Sequence, residues 1–335
     1  MALGLLALAA CGTGAAGPQA TSARTHGSGT ASTTPSPARA TTSSRPLPRL
    51  VWRRGPDLPV AVSETGVASL GPNVHVLGGY VGGRAHSSTH LVLDTTTGRW
   101  RTAAPLPLRL DHVGAVVVDD VLYAVGGYGP NGRPTTGVYA YDPGADRWSP
   151  RAPLPLARAA AVVAALAGRI HVVGGKGPLG DVREHDVYDP SRDSWTTAAA
   201  MPLARDHAAS AVLNGRLLVA GGRPHDLDRV ESYDPTADRW GELAPLPKGR
   251  SSLAGAALNG WFLVLGGEDS GETRVLHDVD ALEPAANRWQ QLAPLPQGVQ
   301  GVQGAVVDGR LYLPGGGPAA GGLVQSARLY VLEPV

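Results

Sequence analysis

A glycine pair returns along this chain at near-constant spacing: Gly78-Gly79, Gly126-Gly127, Gly174-Gly175, Gly221-Gly222, Gly266-Gly267 and Gly315-Gly316, at intervals of 48, 48, 47, 45 and 49 residues. Six tryptophans, Trp52, Trp100, Trp148, Trp195, Trp240 and Trp289, keep the same intervals, each 26 residues ahead of a glycine pair. A period near fifty residues, with the glycine pair closing an apolar run and a Trp following, marks a β-propeller blade; the units of helical solenoids are shorter and 3.6-periodic. The 45 Gly and 29 Pro agree with many short strands and no long helix.

One unit divides into four strands, A to D. In the second unit His112 to Val118 is a short β-branched run ended by Asp119-Asp120, and Val121 to Val125 is another, ended by the glycine pair. The A-to-B turn reads Asn214-Gly215, Asn259-Gly260 and Asp308-Gly309 in later units, dipeptides that tolerate positive φ at both central positions of a type I′ hairpin. Strand C, Gly137 to Tyr141, closes at Asp142-Pro143, where proline removes a donor and fixes φ for a turn. Strand D, Arg147 to Arg151, carries the Trp and leads into Ala152-Pro153-Leu154-Pro155, whose prolines exclude a central strand. The third and fourth units repeat Tyr188-Asp189-Pro190 and Tyr233-Asp234-Pro235. The fifth and sixth substitute Leu282-Glu283-Pro284 and Leu332-Glu333-Pro334, and the first has Leu93-Asp94-Thr95 without proline, so a looser turn is expected there.

The order Gly-Gly, Tyr-Asp-Pro, Trp, Pro-Leu-Pro resembles the kelch repeat, over about residues 50 to 335. The resemblance implies an all-β kelch β-propeller, of the kind also found in the galactose oxidase central domain. Trp52 precedes the first glycine pair, and no Trp follows the sixth. Leu50 to Arg54 is therefore a strand D without a blade, and Arg328 to Leu332 belongs to a blade without a strand D. A six-bladed ring closed by the N-terminal strand D on the C-terminal blade is expected, because pairing removes the open edges.

Ahead of the repeats, Ala2 to Ala10 is an uncharged apolar run too short to span a bilayer, and it meets the single cysteine in Leu8-Ala9-Ala10-Cys11-Gly12. This segment resembles the lipobox of bacterial lipoproteins, although no Lys or Arg precedes it. The resemblance implies a signal segment over residues 1–11, a lipid anchor on Cys11 and an extracytoplasmic location at the cell membrane. Residues 12–49, crowded with Thr, Ser, Ala, Gly and Pro, hold too little apolar surface to fold and read as a tether ahead of the propeller at 50–335. Four arginines in the tether, Arg24, Arg39, Arg45 and Arg49, stand without an acid; removing them from a net charge of +1 leaves the propeller at −3. Such a near-neutral domain lacks the basic footprint of a nucleic-acid binder.

Because the strands alternate in direction, the D-to-A and B-to-C loops share one face, which carries the variable sequence. Sixteen residues before each glycine pair stand Val62, Leu110, Arg158, Arg205, Arg250 and Val299, and two positions later Glu64, His112, Ala160, His207, Ser252 and Gly301. Directly after the pairs come Tyr80, Tyr128, Lys176, Arg223, Glu268 and Gly317. All are expected to crowd the channel mouth. Arg158, Arg205, Arg250, Lys176 and Arg223 would form a cationic arc for a carboxylate, with Tyr80 and Tyr128 stacking on a sugar; the competing expectation is that each arginine pairs with neighbouring loops.

Glu64, His207 and Glu268 are the acid/base candidates. Asp111-His112 and Asp206-His207 are sequence neighbours, which in a strand point to opposite faces and need form no dyad. His225-Asp226-Leu227-Asp228 has no second cluster at ligand spacing, so no metal or other cofactor is expected. The leading expectation is a monomeric, membrane-anchored binding module for a glycan or an extracytoplasmic protein. The alternative is an enzyme similar to the six-bladed kelch sialic acid mutarotases, with Arg205 and Arg158 clamping the carboxylate. A copper radical oxidase is not expected: resemblance to galactose oxidase would require a Tyr crosslinked to Cys, and the one thiol, Cys11, lies outside the propeller.

Overall fold

A computed structural model describes residues 46–335 apart from 226, 270 and 272. The expected signal segment, Cys11 and the tether up to residue 45 lie outside the described residues. Among the described residues are six four-stranded antiparallel sheets, each one blade. The first blade runs Gly66–Leu70, Asn73–Leu77, His90–Asp94 and Arg99–Thr102, and the second Gly114–Val118, Val121–Val125, Val138–Asp142 and Arg147–Pro150. The third is Val162–Leu166, Arg169–Val173, His185–Asp189 and Ser194–Ala198, and the fourth Ala209–Leu213, Arg216–Ala220, Val230–Asp234 and Arg239–Leu243. The fifth is Ala254–Leu258, Trp261–Leu265, Val279–Glu283 and Arg288–Gln291. The sixth takes Ala305–Val307, Arg310–Pro314 and Leu329–Pro334 from the C-terminal end and Leu50–Arg54 from the N-terminal end. Leu50 lies opposite Pro334 and Arg54 opposite Tyr330, which closes the ring as expected.

Strand B is sealed on both faces, so Trp261–Leu265 is buried throughout, whereas strand D faces water and alternates as in Arg99-Trp100-Arg101-Thr102. The apolar cores lie between blades: Phe262, Val264 and Leu282 of the fifth pack with Ala211, Leu218 and Ala220 of the fourth. Each such large side chain contributes about 1.5–3 kcal/mol by leaving water. The hairpin dipeptides behave as their residue types demand, with φ of 51° and 71° at Asn214 and Gly215 and 47° and 72° at Asp308 and Gly309. The first blade's C-to-D turn is not looser for lacking proline. Asp94 accepts hydrogen bonds from the Thr96 and Thr97 amides at 2.8 and 3.2 Å, as Asp142 does from Gly144 and Ala145.

Two repeated contacts explain the period. The second glycine of each pair donates its N–H to the next blade, as Gly127 does to the Arg158 carbonyl at 2.8 Å and Gly316 to Val62 at 2.9 Å. The first glycine lies so close to that carbonyl that a Cβ on Gly126 would stand 2.4 Å from it. Each Trp indole donates to a backbone carbonyl of the preceding blade: Trp148 to Ala104, Trp195 to Ala152, Trp240 to Ala199, and Trp52 to Ala293 across the closure. Glycine pair and Trp are thus the two stitches between neighbouring blades.

Candidate functional site

The offset that carries Glu64, His112, Ala160, His207, Ser252 and Gly301 forms a ring about the channel axis. Each N–H donates to the carbonyl of the equivalent residue one blade earlier, His112 to Glu64 at 2.8 Å, His207 to Ala160 at 3.1 Å, and so on until Glu64 donates to Gly301 at 2.5 Å. All six have φ between 50° and 60°, a left-handed conformation that costs an L-residue energy and persists where surrounding structure enforces it. The ring ends the D-to-A loops before strand A begins, so His112 precedes its strand (Gly114–Val118) instead of lying in it.

Below the ring an axial cavity of about 180 Å³ runs between the A strands, lined by Val67, Ala115, Val163, Ala209, Gly255 and Gly304 among others. Above it opens a pocket of about 190 Å³ lined by Glu64, Tyr80, Arg84, His112, Tyr128, His207, Arg223, Glu268, Gly321 and Gly322. Glu64, His112 and His207 line both spaces and stand between them. At this floor the His112 Nε2 lies 3.1 Å from Glu64 Oε2, and the His112 and His207 rings meet edge to face at 4.9 Å. Each imidazole is held from behind by the Asp that precedes it: His112 Nδ1 is 2.5 Å from Asp111, and His207 Nδ1 is 2.8 Å from Asp206. The sequence left open whether such neighbours pair; they do, because each histidine is left-handed at φ of 50° and 53° and not extended as in a strand. Asp111 also accepts from His86.

Burial disfavours the imidazolium of His112, but Glu64 and Asp111 outweigh it and its pKa lies above 6.5. Burial likewise opposes the charge on Asp206, yet its hydrogen bond to His207 keeps the carboxyl below the usual range. Tyr80 and Tyr128 stand edge-on to His112 at 5.8 and 5.3 Å. Burial, reinforced by nearby carboxylates, raises both phenols, Tyr128 to about 12, so they remain protonated donors at neutral pH. Opposite them Arg223 reaches Glu268 at 2.9 Å and Ser252 at 3.2 Å. The other Glu268 oxygen accepts the Gly321 amide at 2.8 Å, while Arg84 donates to the Gly321 carbonyl at 2.5 Å. Glu268 therefore holds a wall of the pocket in place.

Of the residues singled out in the sequence, Glu64, His207, Glu268, Arg223, Tyr80 and Tyr128 meet in this pocket. The expected cationic arc does not form. Arg158, Arg205 and Arg250 are about 1 % exposed or less and point into their own blades. There Arg158 pairs with Asp186, Arg205 with Glu231, and Arg250 with Asp280 at 2.8 Å, and each guanidinium also donates to backbone carbonyls such as Val172, Gly221 and Val264. Lys176 lies on a separate ribbon (Lys176–Gly177 with Gly180–Asp181), its ammonium 2.7 Å from Asp181, which raises its pKa. Arg84 and the loop at Gly321-Gly322 were missed because they fall outside the repeated offsets.

The family described as the KLHDC2/KLHL20/DRC7 Kelch-repeats domain matches residues 63–246, more than half of the chain. No curated protein matches the sequence. Among solved structures, one titled "Structure of YjhT" is similar at a TM-score of 0.73 and 19 % identity, over 82 % of this chain and 95 % of that one, a likeness of fold. The repeated glycine pairs and tryptophans, the blades they stitch together and the family match agree: the chain belongs to the kelch-repeat family and is a six-bladed kelch β-propeller.

Proposed function

We propose that this propeller is an envelope-anchored binding module whose ligand is a small acidic sugar or similar polyhydroxy carboxylate, held in the pocket at the channel mouth. The observation that carries this reading is the pocket's chemistry. Arg84, Arg223 and the phenols of Tyr80 and Tyr128 line it, and Glu64 with two imidazoles forms the floor. Guanidinium suits a carboxylate, and tyrosines and carboxylates suit sugar hydroxyls. About 190 Å³ is below the roughly 300–1,000 Å³ of drug-sized sites, which suits a single ring. Anchoring rests on the lipobox resemblance around Cys11; a Cys11→Ser variant is expected to leave the detergent phase in a partition assay.

Thermal unfolding of the full chain against neutral sugars, uronic acids and sialic acids tests the reading, since a ligand of the native state raises the midpoint. The expected result is a rise with acidic sugars that Arg223→Ala removes; no rise across the panel overturns it. A second reading, proton transfer on the same sugar as in the sialic acid mutarotases, is favoured by the 3.1 Å approach of His112 and Glu64 beneath the ligand space. It predicts faster anomer exchange by NMR, lost in Glu64→Gln.

A further inference from the structure

We propose that Glu64, His112 and His207 form a binding site for one divalent transition-metal ion of the zinc type at the floor of the pocket. Their donor atoms lie within 4.8 Å of one another although they come from the first, second and fourth blades. Two imidazoles and one carboxylate are a borderline-soft donor set. It suits zinc and its first-row neighbours, and not calcium or magnesium, which take oxygen ligands.

The surroundings are those a metal site needs. With Nδ1 of His112 and of His207 engaged by Asp111 and Asp206, Nε2 is the ring atom left for an ion. A carboxylate behind the imidazole fixes its tautomer and raises its basicity as a ligand. The hydrogen-bonded ring anchors all three residues, so little ordering remains to be done on binding. Small residues complete the ring, and one of them makes room directly: a Cβ on Gly301 would stand 2.3 Å from a Glu64 carboxylate oxygen. The three side chains are 8–10 % exposed, shielded yet open to the pocket above. Three protein ligands with an open fourth position is the arrangement of zinc sites that receive water or a substrate oxygen. The positive charge of Arg223 in the pocket wall is balanced by its ion pair with Glu268.

Metal binding and proton transfer are exclusive uses of the His112 Nε2 lone pair, so the two are separable. The test uses the full chain in a Cys11→Ser background, which removes the only thiol, stripped with chelator and titrated with Zn²⁺ by calorimetry and with Co²⁺ by visible absorption. The expected result is one ion per chain, with Co²⁺ bands of a low-coordinate site. Asp206→Asn should weaken binding by about 10–100-fold, as loss of a carboxylate behind a ligating histidine does. His207→Ala should abolish binding without unfolding the ring, because Ala160 already occupies the equivalent place in the third blade at a φ of 50°. Absence of stoichiometric binding, or binding unchanged in His207→Ala, overturns the proposal. No sugar enters these measurements, so failure of the ligand reading leaves them interpretable.

Discussion

Replacing Arg205 by Met separates a structural arginine from a ligand clamp. Arg205 and Glu231 are both fully buried, and the guanidinium also donates to the Gly221 and Arg229 carbonyls at 3.2 Å each. Methionine leaves Glu231 charged within the blade, with the half-exposed Arg229 at 3.2 Å still beside it. Breaking one side of a buried ion pair costs about 3–5 kcal/mol, whereas replacing both sides by apolar groups is often neutral. An unfolding entropy of about 2.1 cal/mol/K per residue gives about 0.6 kcal/mol/K for a ring of this size, so the midpoint should fall by about 5–8 °C. The Arg205→Met/Glu231→Leu double variant should recover most of that fall, and both should keep the thermal response to acidic sugars. The assay is calorimetric or fluorescence-monitored melting with and without ligand. A single variant that melts with the wild type but loses the ligand response would refute the structural assignment and restore Arg205 to the pocket.

Three further outcomes follow from the same geometry. Gly126→Ala combines left-handed strain of about 1–2 kcal/mol with crowding of about 1–3 kcal/mol against the Arg158 carbonyl, whereas Gly132→Ala at φ 67° has open space and should show the strain alone; equal losses in urea melts would refute the stitching role. Deleting residues 50–56 should lower the melting midpoint and promote aggregation seen by light scattering, because the Leu329–Pro334 edge loses its partner; an unchanged midpoint would refute the closure. The buried pairs His75–His90 and His171–His185 have pKa values lowered, chiefly by burial, to about 3–4, while unfolded histidines titrate near 6.5. The unfolded state then binds more protons, so stability falls on acidification below about pH 6.5, by up to about 1.4 kcal/mol per pH unit per histidine. His112, whose pKa is raised, changes its contribution above about pH 6.5 and not within this window, and urea midpoints that stay level from about pH 6.5 to about pH 5 would contradict the assignment.

The fate of the arginines shows what was legible and overlooked. Each blade with Arg at the sixteenth position before its glycine pair also has an acid two residues before its Tyr-Asp-Pro or Leu-Glu-Pro: Asp186, Glu231 and Asp280. Blades with Val or Leu there have Leu91, Tyr139 and Tyr330 instead. That matched change of charge across two strands of one blade is the sequence signal of an internal ion pair. It points away from the channel, and reading one offset at a time hides it. His112 shares the offset of Glu64 and His207, so its place on the axis was legible, while its bond to Asp111 was not, since φ at that position is set by the ring and not by residue type.

By itself the sequence determined the blade count, the strand order within each blade and the closure of the ring by Leu50–Arg54, because each is written in a period and in local turn chemistry that neighbouring residues enforce. Only the tertiary structure decided which loop residues meet. Glu64, His112, His207, Arg223 and Glu268 come from four different blades, and their distances depend on how six sheets close about one axis, a quantity that no local spacing encodes. Whether an arginine faces solvent or its own blade likewise turns on the backbone conformation at the loop, where the ring of hydrogen bonds holds the residue two positions on in a left-handed state and sends Arg158, Arg205 and Arg250 inward to their acids.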